Sequence, residues 1–235
     1  VAINDMLDQI HAYHDNVLEQ NISLKTAEIK ALQSQLNPHF IFNVLNTLAW
    51  KAEMSDNSEL SQMAIAIGEI FKATTAYRNS QYISIAEELK FVKFYIYLQQ
   101  MRFEDKISVT FDIDKDLDDI NIPCFCVQTL VENAYVHGLE SKDTNGHLTI
   151  SIKKDNENKF LLINIIDDGV GFEKIPKFDI NVASKGTTSE AVGSRPHIGL
   201  KNLNRRLFLM YGEDAVLHIE SIPEVRTAIS FKIPL

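Results

Sequence analysis

The first forty residues of this chain contain no glycine and a single proline, Pro38. A stretch without helix-breaking residues predicts one long helix, which bends where Pro38 removes a backbone hydrogen-bond donor. Core-compatible side chains recur along it in nearly a heptad pattern, with an extra residue around His14 to Leu18. This spacing predicts a parallel coiled coil over residues 1–35; a helix lying on the surface of the chain's own domain is the alternative. The positions are Ile3, Leu7, Ile10, His14, Leu18, Ile22, Ile29, Leu32 and Leu36.

Two amphipathic helices are predicted on either side of a short polar segment. Apolar residues continue after Pro38 as far as Leu48, and the polar segment Ser55–Ser58 follows. A second apolar stripe then runs from Leu60 to Thr74. This pattern predicts a helical hairpin over residues 36–82, and two such hairpins would form a four-helix homodimer.

Residues 83–235 mix helical and strand patterns, which predicts an α+β domain with a mixed sheet covered by helices on one face. Ser84 and Glu87 have the spacing of a capping box that opens a helix. The predicted elements are a helix to about Arg102, a strand at 107–113, a helix that follows Pro123 and runs through Asn133, strands at 148–153 and 160–166, a long irregular stretch at 172–197, a helix at 200–211, and strands at 216–221 and 227–233.

Composition excludes some classes of function. A formal net charge of −9 disfavours a surface for nucleic acid or for anionic membranes, since both require clustered cations. Cys124 and Cys126 are the only cysteines, so a disulfide framework is excluded and we expect buried thiols in a reducing cytoplasm. Metal binding by this pair would require a second Cys/His pair nearby, and the sequence has none there.

The chain contains no apolar run approaching the roughly 18 residues that span a bilayer. It begins with Val1 rather than Met. We therefore expect it to be a piece of a longer protein, and we expect contact with a membrane only through a part that precedes Val1.

His39 is a candidate nucleophile in the bent helix. Imidazole titrates near neutral pH and therefore keeps a neutral nucleophilic nitrogen that can attack phosphorus. Asn43 lies four residues further on, on the same helix face, where its amide could orient the ring or a phosphate. The alternative for a helical histidine is an ordinary surface or interface residue.

Asn133 and Asp167 are candidate ligand-binding residues. Mg²⁺ prefers oxygen ligands and is usually completed by phosphates and water, so one amide oxygen at Asn133 would suffice; a solvent-facing polar cap is the alternative. Asp167 ends an apolar strand and begins an Asp-x-Gly-x-Gly segment with Gly169 and Gly171. A buried carboxylate there could accept a hydrogen bond from the amine of adenine and reject guanine, although Asp-Gly turns are also common after strands.

Gly199 leads into a predicted helix, whose free N-terminal amides could hold phosphate. The preceding stretch is rich in Gly, Ser and Thr, which predicts either a mobile lid over a nucleotide or a simple connector.

Taken together, these motifs resemble the cytoplasmic part of LytS/YesM-type sensor histidine kinases over roughly residues 33–235. The segments that carry the resemblance are Asn37–Asn43, Leu130–Gly138, Asp167–Gly171 and Ile198–Asn202, with Arg205, Arg206, Tyr211 and Gly212. The resemblance implies ATP-dependent autophosphorylation and phosphotransfer to the receiver domain of a response regulator. It also implies a dimerisation hairpin followed, over residues 83–235, by the Bergerat-type α/β sandwich of gyrase, Hsp90, histidine kinases and MutL.

The same resemblance assigns roles to individual residues. His39 would be the phosphate acceptor, with Asn43 and Glu132 as further candidate catalytic residues, and Asn133 would hold Mg²⁺. The residues implied to contact ATP are Asn133, His137, Asp167, Gly169, Gly171, His197, Gly199 and Leu200. The chain would then be the cytoplasmic domain of a membrane sensor protein and would make no direct contact with nucleic acid.

Three positions depart from the family pattern. Val136 stands where many members have Lys, His197 where many have Gly, and Arg226 where Gly usually precedes Thr. The first two affect phosphate handling and leave open a catalytically weak, nucleotide-binding scaffold as the alternative. Related ATPases carry a water-activating Glu where this chain has Thr129, so transfer to a positioned nucleophile is favoured over hydrolysis.

Overall fold

The computed structural model describes residues 38–77, 80–103, 106–142, 145–176 and 197–235, with side chains described from Ile41 onward. The coiled coil predicted for residues 1–35 and most of the predicted irregular stretch lie outside the described residues. None of the helices in the described part of the chain has the length and apolarity needed to cross a bilayer.

The first two helices, α1 (Pro38–Met54) and α2 (Ser58–Ala76), pack along each other as a helical hairpin. The turn between them is fixed by Asn57, whose side-chain oxygen accepts a hydrogen bond from the Leu60 amide at 3.0 Å and so caps α2. The rings of Phe42 and Phe71 meet edge to face, 5.5 Å apart, between the two helices.

The remaining residues form an α+β unit, which confirms the predicted fold class. Its strands are β1 (Tyr82–Ser84), β2 (Ile107–Ile113), β3 (Asn121–Pro123), β4 (Gly146–Lys154), β5 (Phe160–Asp167), β6 (His218–Ile222) and β7 (Arg226–Pro234). Its helices are α3 (Ile85–Phe103), α4 (Cys126–Asn133), a π-helix (Ala134–Leu139), α5 (Ile198–Tyr211) and a 3₁₀ turn (Glu213–Ala215).

The main sheet has five strands in the order β2-β4-β5-β7-β6. β2 and β4 are parallel and the other pairs are antiparallel, so the sheet is mixed as predicted. On β4 and β5 every second side chain is fully buried beneath the helices, including Ile150 and Ile163, whereas Leu162 on the other face is exposed. Cys124 and Cys126 are free, buried thiols in this core, as predicted.

The strands β1 and β3 were not predicted, and several other elements differ from prediction by one or two residues at their ends. Two differences have a visible structural cause. The helix ending at Asn133 continues directly into the π-helix, in which Glu140 N–H donates to the Tyr135 carbonyl at 2.8 Å. The strand predicted from Val216 begins at His218, because the Leu217 amide donates to Asn204 Oδ1 at 2.7 Å instead of joining the sheet. Neither the wide helical turn nor this side-chain contact has a local sequence signature.

The hairpin packs against α3 of the α+β unit. Lys90 Nζ lies 3.3 Å from Glu69 Oε2, and Tyr97 Oη donates to Gln62 Oε1 at 3.1 Å. Ala73 of α2 is buried within the same apolar cluster as the residues of the α+β unit. α3 therefore contacts both the hairpin and the α+β core.

Candidate functional site

A cavity of about 350 Å³ opens where the ends of several elements meet. The carboxyl end of β5, the π-helix, the start of α5 and the start of β7 all contribute to its wall. The lining residues are Asn133, His137, Gly138, Asp167, Gly171, Phe172, Glu173, Lys174, His197 and Thr227. Five of the predicted nucleotide-contacting residues therefore lie around this one space: Asn133, His137, Asp167, Gly171 and His197.

Asp167 is the buried acid of this cavity. It is the last residue of β5, and its Oδ1 accepts a hydrogen bond from the Gly169 amide at 3.0 Å. Burial raises the pKa of this carboxyl to about 6, against the opposing effect of the Gly169 amide. Thr227, also buried, lies directly across from Asp167 in the pairing of β5 with β7.

The neighbouring Asp168 makes two contacts that stabilise the fold. Its Oδ1 accepts from the His147 amide at 2.7 Å, and its Oδ2 lies 2.9 Å from Lys142 Nζ. Although partial burial acts to raise the pKa of Asp168, these two partners outweigh it and the pKa is lowered. Of the two adjacent carboxylates, Asp167 is therefore the one that faces the cavity.

Two glycines let the loop after β5 lie against the π-helix. A Cβ on Gly169 would come within 2.2 Å of the carbonyl carbon and oxygen of Gly138, and one on Gly138 within 2.5 Å of Asp167 Oδ1. The Val170 amide donates to the Gly138 carbonyl at 2.9 Å, which fixes this contact. Gly169 contacts Gly138, which lines the cavity, but Gly169 is not itself a lining residue.

Asn133 and His137 reach the cavity from consecutive helical segments. Asn133 ends α4 and is buried, and the π-helix that follows carries His137, whose side chain is exposed. Single π turns inside helices are frequent at functional sites because they re-aim the side chains around them. Here both residues line the same cavity.

His197 lies on Asn133. It precedes α5 with a φ of +68°, in the left-handed region that favours glycine. Its Nδ1 is 3.4 Å from Asn133 Oδ1, and its ring packs 4.8 Å from that of His137 and 4.9 Å from that of Phe172. Burial and the neighbouring His137 lower the pKa of His197, so at neutral pH its ring is uncharged and offers hydrogen bonds rather than charge.

A second cavity of about 220 Å³ adjoins the first and shares Asn133, His137 and His197 with it. It contains the other predicted residues at the start of α5, Gly199 and Leu200, and also Glu132. The remaining lining residues are Thr129, Val136 and Ile198. Every predicted nucleotide-contacting residue except Gly169 therefore lines one of the two cavities.

The predicted phosphate-acceptor helix is not at these cavities. Asn43 lines a separate groove along α1 with Val44, Thr47, Leu48 and Lys51. Neither of the two cavities includes a described residue of α1. His39 belongs to α1, and its side chain lies outside the described ones.

Five residues that line the first cavity were not among the predicted site residues: Phe172, Glu173, Lys174, Gly138 and Thr227. The first three follow Gly171 directly, so the glycine segment itself could have pointed to them. Thr227 is far away in the sequence and reaches the cavity only through the pairing of β5 with β7.

The described residues contain no group of three or more His, Cys, Asp or Glu side chains able to hold a metal ion. The cavity offers hard oxygen ligands in the buried amide of Asn133 and in the carboxylates of Asp167 and Glu173. This donor set fits an ion whose other ligands are phosphate oxygens and water, which is how Mg²⁺ is usually held.

Comparison with known proteins identifies the family. Residues 27–107 match the family model described as histidine kinase. The chain is 33% identical to the sensor protein LytS of Staphylococcus haemolyticus over 92% of its length, and 31% identical to the sensor histidine kinase YesM of Bacillus subtilis over 97%. The chain belongs to the LytS/YesM-type histidine kinase family. The sensor histidine kinase YpdA of Escherichia coli is also similar, at 35% identity over 88% of the chain.

The chain spans about a third of the length of these relatives: 35% of LytS, 37% of YesM and 34% of YpdA. Among solved structures, the histidine kinase domain of the blue-light activated histidine kinase EL346 from Erythrobacter litoralis covers 85% of this chain and 86% of its own. It has a TM-score of 0.44 and 16% sequence identity.

Two of the three positions that depart from the family pattern, Val136 and His197, lie close together, with Thr129 beside them. Val136, His197 and Thr129 all line the second cavity. The Thr129 hydroxyl donates to the Phe125 carbonyl at 2.6 Å, so its proton is already used in a hydrogen bond to the backbone. That hydroxyl is therefore poorly suited to activating water.

Proposed function

We propose that this chain binds ATP with Mg²⁺ in the paired cavities and transfers the γ-phosphoryl group to His39, from which a response-regulator aspartate receives it. The observation that carries the proposal is the cavity that joins the buried carboxylate of Asp167 to the buried amide oxygen of Asn133. We assign residues 1–35 to a signalling coiled coil, 36–82 to the dimerisation and phosphotransfer hairpin, and 83–235 to the ATP-binding domain.

Asp167 would recognise the base. An ionised carboxylate accepts a hydrogen bond from the exocyclic amine of adenine, whereas guanine presents an oxygen at that position and would leave two acceptors facing each other. The bare backbone of the glycine segment allows a flat base to approach closely. Thr227, beside Asp167 across the strands, would complete this end of the site.

Asn133 and the start of α5 would hold the phosphates. Mg²⁺, when bound, neutralises the charge that develops on the transferred phosphoryl group. Asn133 would hold it through its amide oxygen, and the free amides around Gly199 and Leu200 would contact phosphate oxygens. His197 would have to turn away from Asn133 for the oxygen to become available, since its ring now lies 3.4 Å from it.

Transfer to His39 requires α1 to come to the cavities. The partner's hairpin in a homodimer, or a movement of the ATP-binding domain, would bring it there. Apolar side chains on the hairpin support a dimer, because those exposed on a single copy would be covered by a second one. They are Val44, Leu48, Trp50, Met54, Leu60, Ile65 and Ile67.

The relatives are named sensor proteins, and we propose that this chain is the cytoplasmic part of such a protein, anchored to the membrane outside residues 1–235. A receiver domain would be its second protein partner. Direct contact with nucleic acid is not part of the proposal, since the net charge of −9 opposes it.

Incubation of the protein with γ-labelled ATP and Mg²⁺ tests the proposal. Phosphohistidine is expected, so the protein-bound label should be lost in acid and retained in base. Nucleotide binding without any such label would favour the scaffold alternative. Steady release of phosphate with no labelled protein would indicate a hydrolase and would contradict the proposal.

Nucleotide affinity should fall as the pH is lowered through about 6. The pKa of Asp167 is raised to about 6, and base recognition requires the ionised form. Between about pH 7.5 and about pH 5 the ionised fraction falls by about tenfold, and the association constant for ATP should fall by a similar factor. Calorimetric titration at several pH values measures it.

Asp167→Asn is the matched control, because it has no carboxyl to titrate while the nucleotide's own ionisation is unchanged. Its affinity should be weaker than that of the wild type at neutral pH, and its pH dependence flatter. The free energy of unfolding should depend on pH in the opposite direction to nucleotide affinity. Because the folded-state pKa of Asp167 is above the ordinary 3.8, the fold should become more stable as the pH falls from about 6 towards 4. Equal pH dependence of ATP affinity in both proteins would rule out Asp167 as the residue that recognises adenine.

A further inference from the structure

Glu88, in the first turn of α3, has a carboxylate with no exposure to solvent. Its two oxygens accept three backbone hydrogen bonds: from the Phe125 amide at 2.8 Å, the Val127 amide at 2.9 Å and the Gln128 amide at 3.0 Å. Burying a carboxylate is costly unless it is hydrogen-bonded, and these three amides offset part of that cost. Glu88 is therefore tied to the beginning of α4.

α4 has no cap of its own. Phe125 occupies the position before its first residue, with a left-handed φ of 56° and no side-chain hydrogen bond to the helix. The first amides of a helix need partners, and the positive end of the helix dipole favours an anion there. Glu88, which belongs to a different helix, provides both the hydrogen-bond acceptors for these amides and the acidic group at the start of α4.

α4 is short, and the proposed metal ligand is at its other end. The helix has eight residues, from Cys126 to Asn133. Because a helix this short moves as one piece, a shift of its first turn moves Asn133 by a comparable distance. The contact that fixes the start of α4 thus also fixes the amide oxygen in the cavity.

The same helix α3 contacts the hairpin. Lys90, which pairs with Glu69 of α2, is two residues from Glu88 and points to nearly the opposite side of α3. α3 consequently has α2 on one side and α4 on the other.

We propose that Glu88 is a positioning residue for Mg²⁺-dependent nucleotide binding: by capping α4 from α3, it sets the place of Asn133 relative to the hairpin. The inference rests on the proposed function, since it concerns how the metal ligand of that function is held. Glu88 touches neither cavity and acts only through α4.

Glu88→Gln is the test substitution. Burial raises the pKa of Glu88 to about 7, against the opposing effects of the three amides and Arg206, so the pocket tolerates an uncharged group at neutral pH. Glutamine keeps the length but turns an NH₂ group towards one of the three amides. α4 should therefore remain folded while its first turn is displaced.

The measurement is the ratio of the ATP dissociation constants in EDTA and in excess Mg²⁺, determined on the 235-residue chain. We expect Glu88→Gln to lower this ratio by about tenfold, as loss of an outer-shell contact typically does, with the constant in EDTA nearly unchanged. Glu87→Gln, which removes the same charge from the adjacent exposed side chain, is the matched control and should keep the wild-type ratio.

A wild-type ratio in Glu88→Gln, or an equal loss of affinity with and without Mg²⁺, would overturn the inference. If thermal melting shows that Glu88→Gln does not fold, Glu88→Asp decides the matter instead. It retains the charge but is too short to reach all three amides, and it should show an intermediate loss. Failure of the wild type to bind ATP would refute the proposed function itself, which separates the two failures.

Discussion

Asn133→Ala should remove most of the Mg²⁺-dependent gain in ATP affinity and lower the rate of phosphohistidine formation at least about hundredfold. Asn133 provides a buried amide oxygen in the cavity, and the described residues contain no group of three or more acidic, imidazole or thiol side chains that could hold the metal in its place. Without that ligand the metal is held by phosphates and water alone. The γ-phosphoryl group then loses both its fixed orientation and part of its charge neutralisation.

Titration of ATP with and without Mg²⁺ measures the first effect, and the initial rate of labelling measures the second. Asn145→Ala is a matched control, since Asn145 is exposed and lies outside both cavities. It should leave both quantities unchanged. An Asn133→Ala protein with the wild-type response to Mg²⁺ would show that the metal is bound elsewhere.

Gly169→Ala should destabilise the fold by about 1–3 kcal/mol and weaken nucleotide binding at least about tenfold. The added Cβ would lie 2.2 Å from the backbone carbon and oxygen of Gly138, which cannot rotate away as a side chain would. Either the loop after β5 or the π-helix must shift. A shift of the loop also disturbs the amide that donates to Asp167.

The same change at Gly68 should have the opposite sign. Gly68 is inside α2, and the nearest atoms to an added Cβ are those of Leu45, at 3.9 Å. Gly68→Ala should therefore raise the free energy of unfolding by up to about 1 kcal/mol, through helix propensity. Chemical denaturation of both variants provides the comparison. Equal stability of Gly169→Ala and the wild type would mean that the loop and the π-helix are not in this close contact.

Local patterns in the sequence were sufficient for most elements. The alternation along β4 and β5 reflects a sheet with one covered face, and the apolar stripe of α2 is visible without any tertiary information. Asp167 was singled out because it ends an apolar strand, whereas the role of Asn133 was predicted from the resemblance to LytS/YesM-type sensor histidine kinases. The placement of Asp167 at the end of a buried strand also predicts its burial.

Features that depend on long-range geometry could not be predicted. Thr227 reaches the cavity because β7 pairs with β5 in one register, and a shift by one residue would turn it to the other face. Glu88 is one of two adjacent acids in the first turn of α3, and only the packing of α3 on α4 reveals it as a cap. The π-helix contains Gly138, which lies against Gly169 of the loop after β5, and no local propensity predicts this contact.

The central claim is that the imidazole of His39 and the Asp167–Asn133 cavity serve one reaction. Its most direct test compares labelling by γ-labelled ATP and Mg²⁺ in the wild type, in His39→Gln and in His218→Gln, which alters an exposed histidine on β6 that lines neither cavity. The account predicts an acid-labile label in the wild type and in His218→Gln, and none in His39→Gln, with ATP affinity equal in all three. A label that persists in His39→Gln would contradict it.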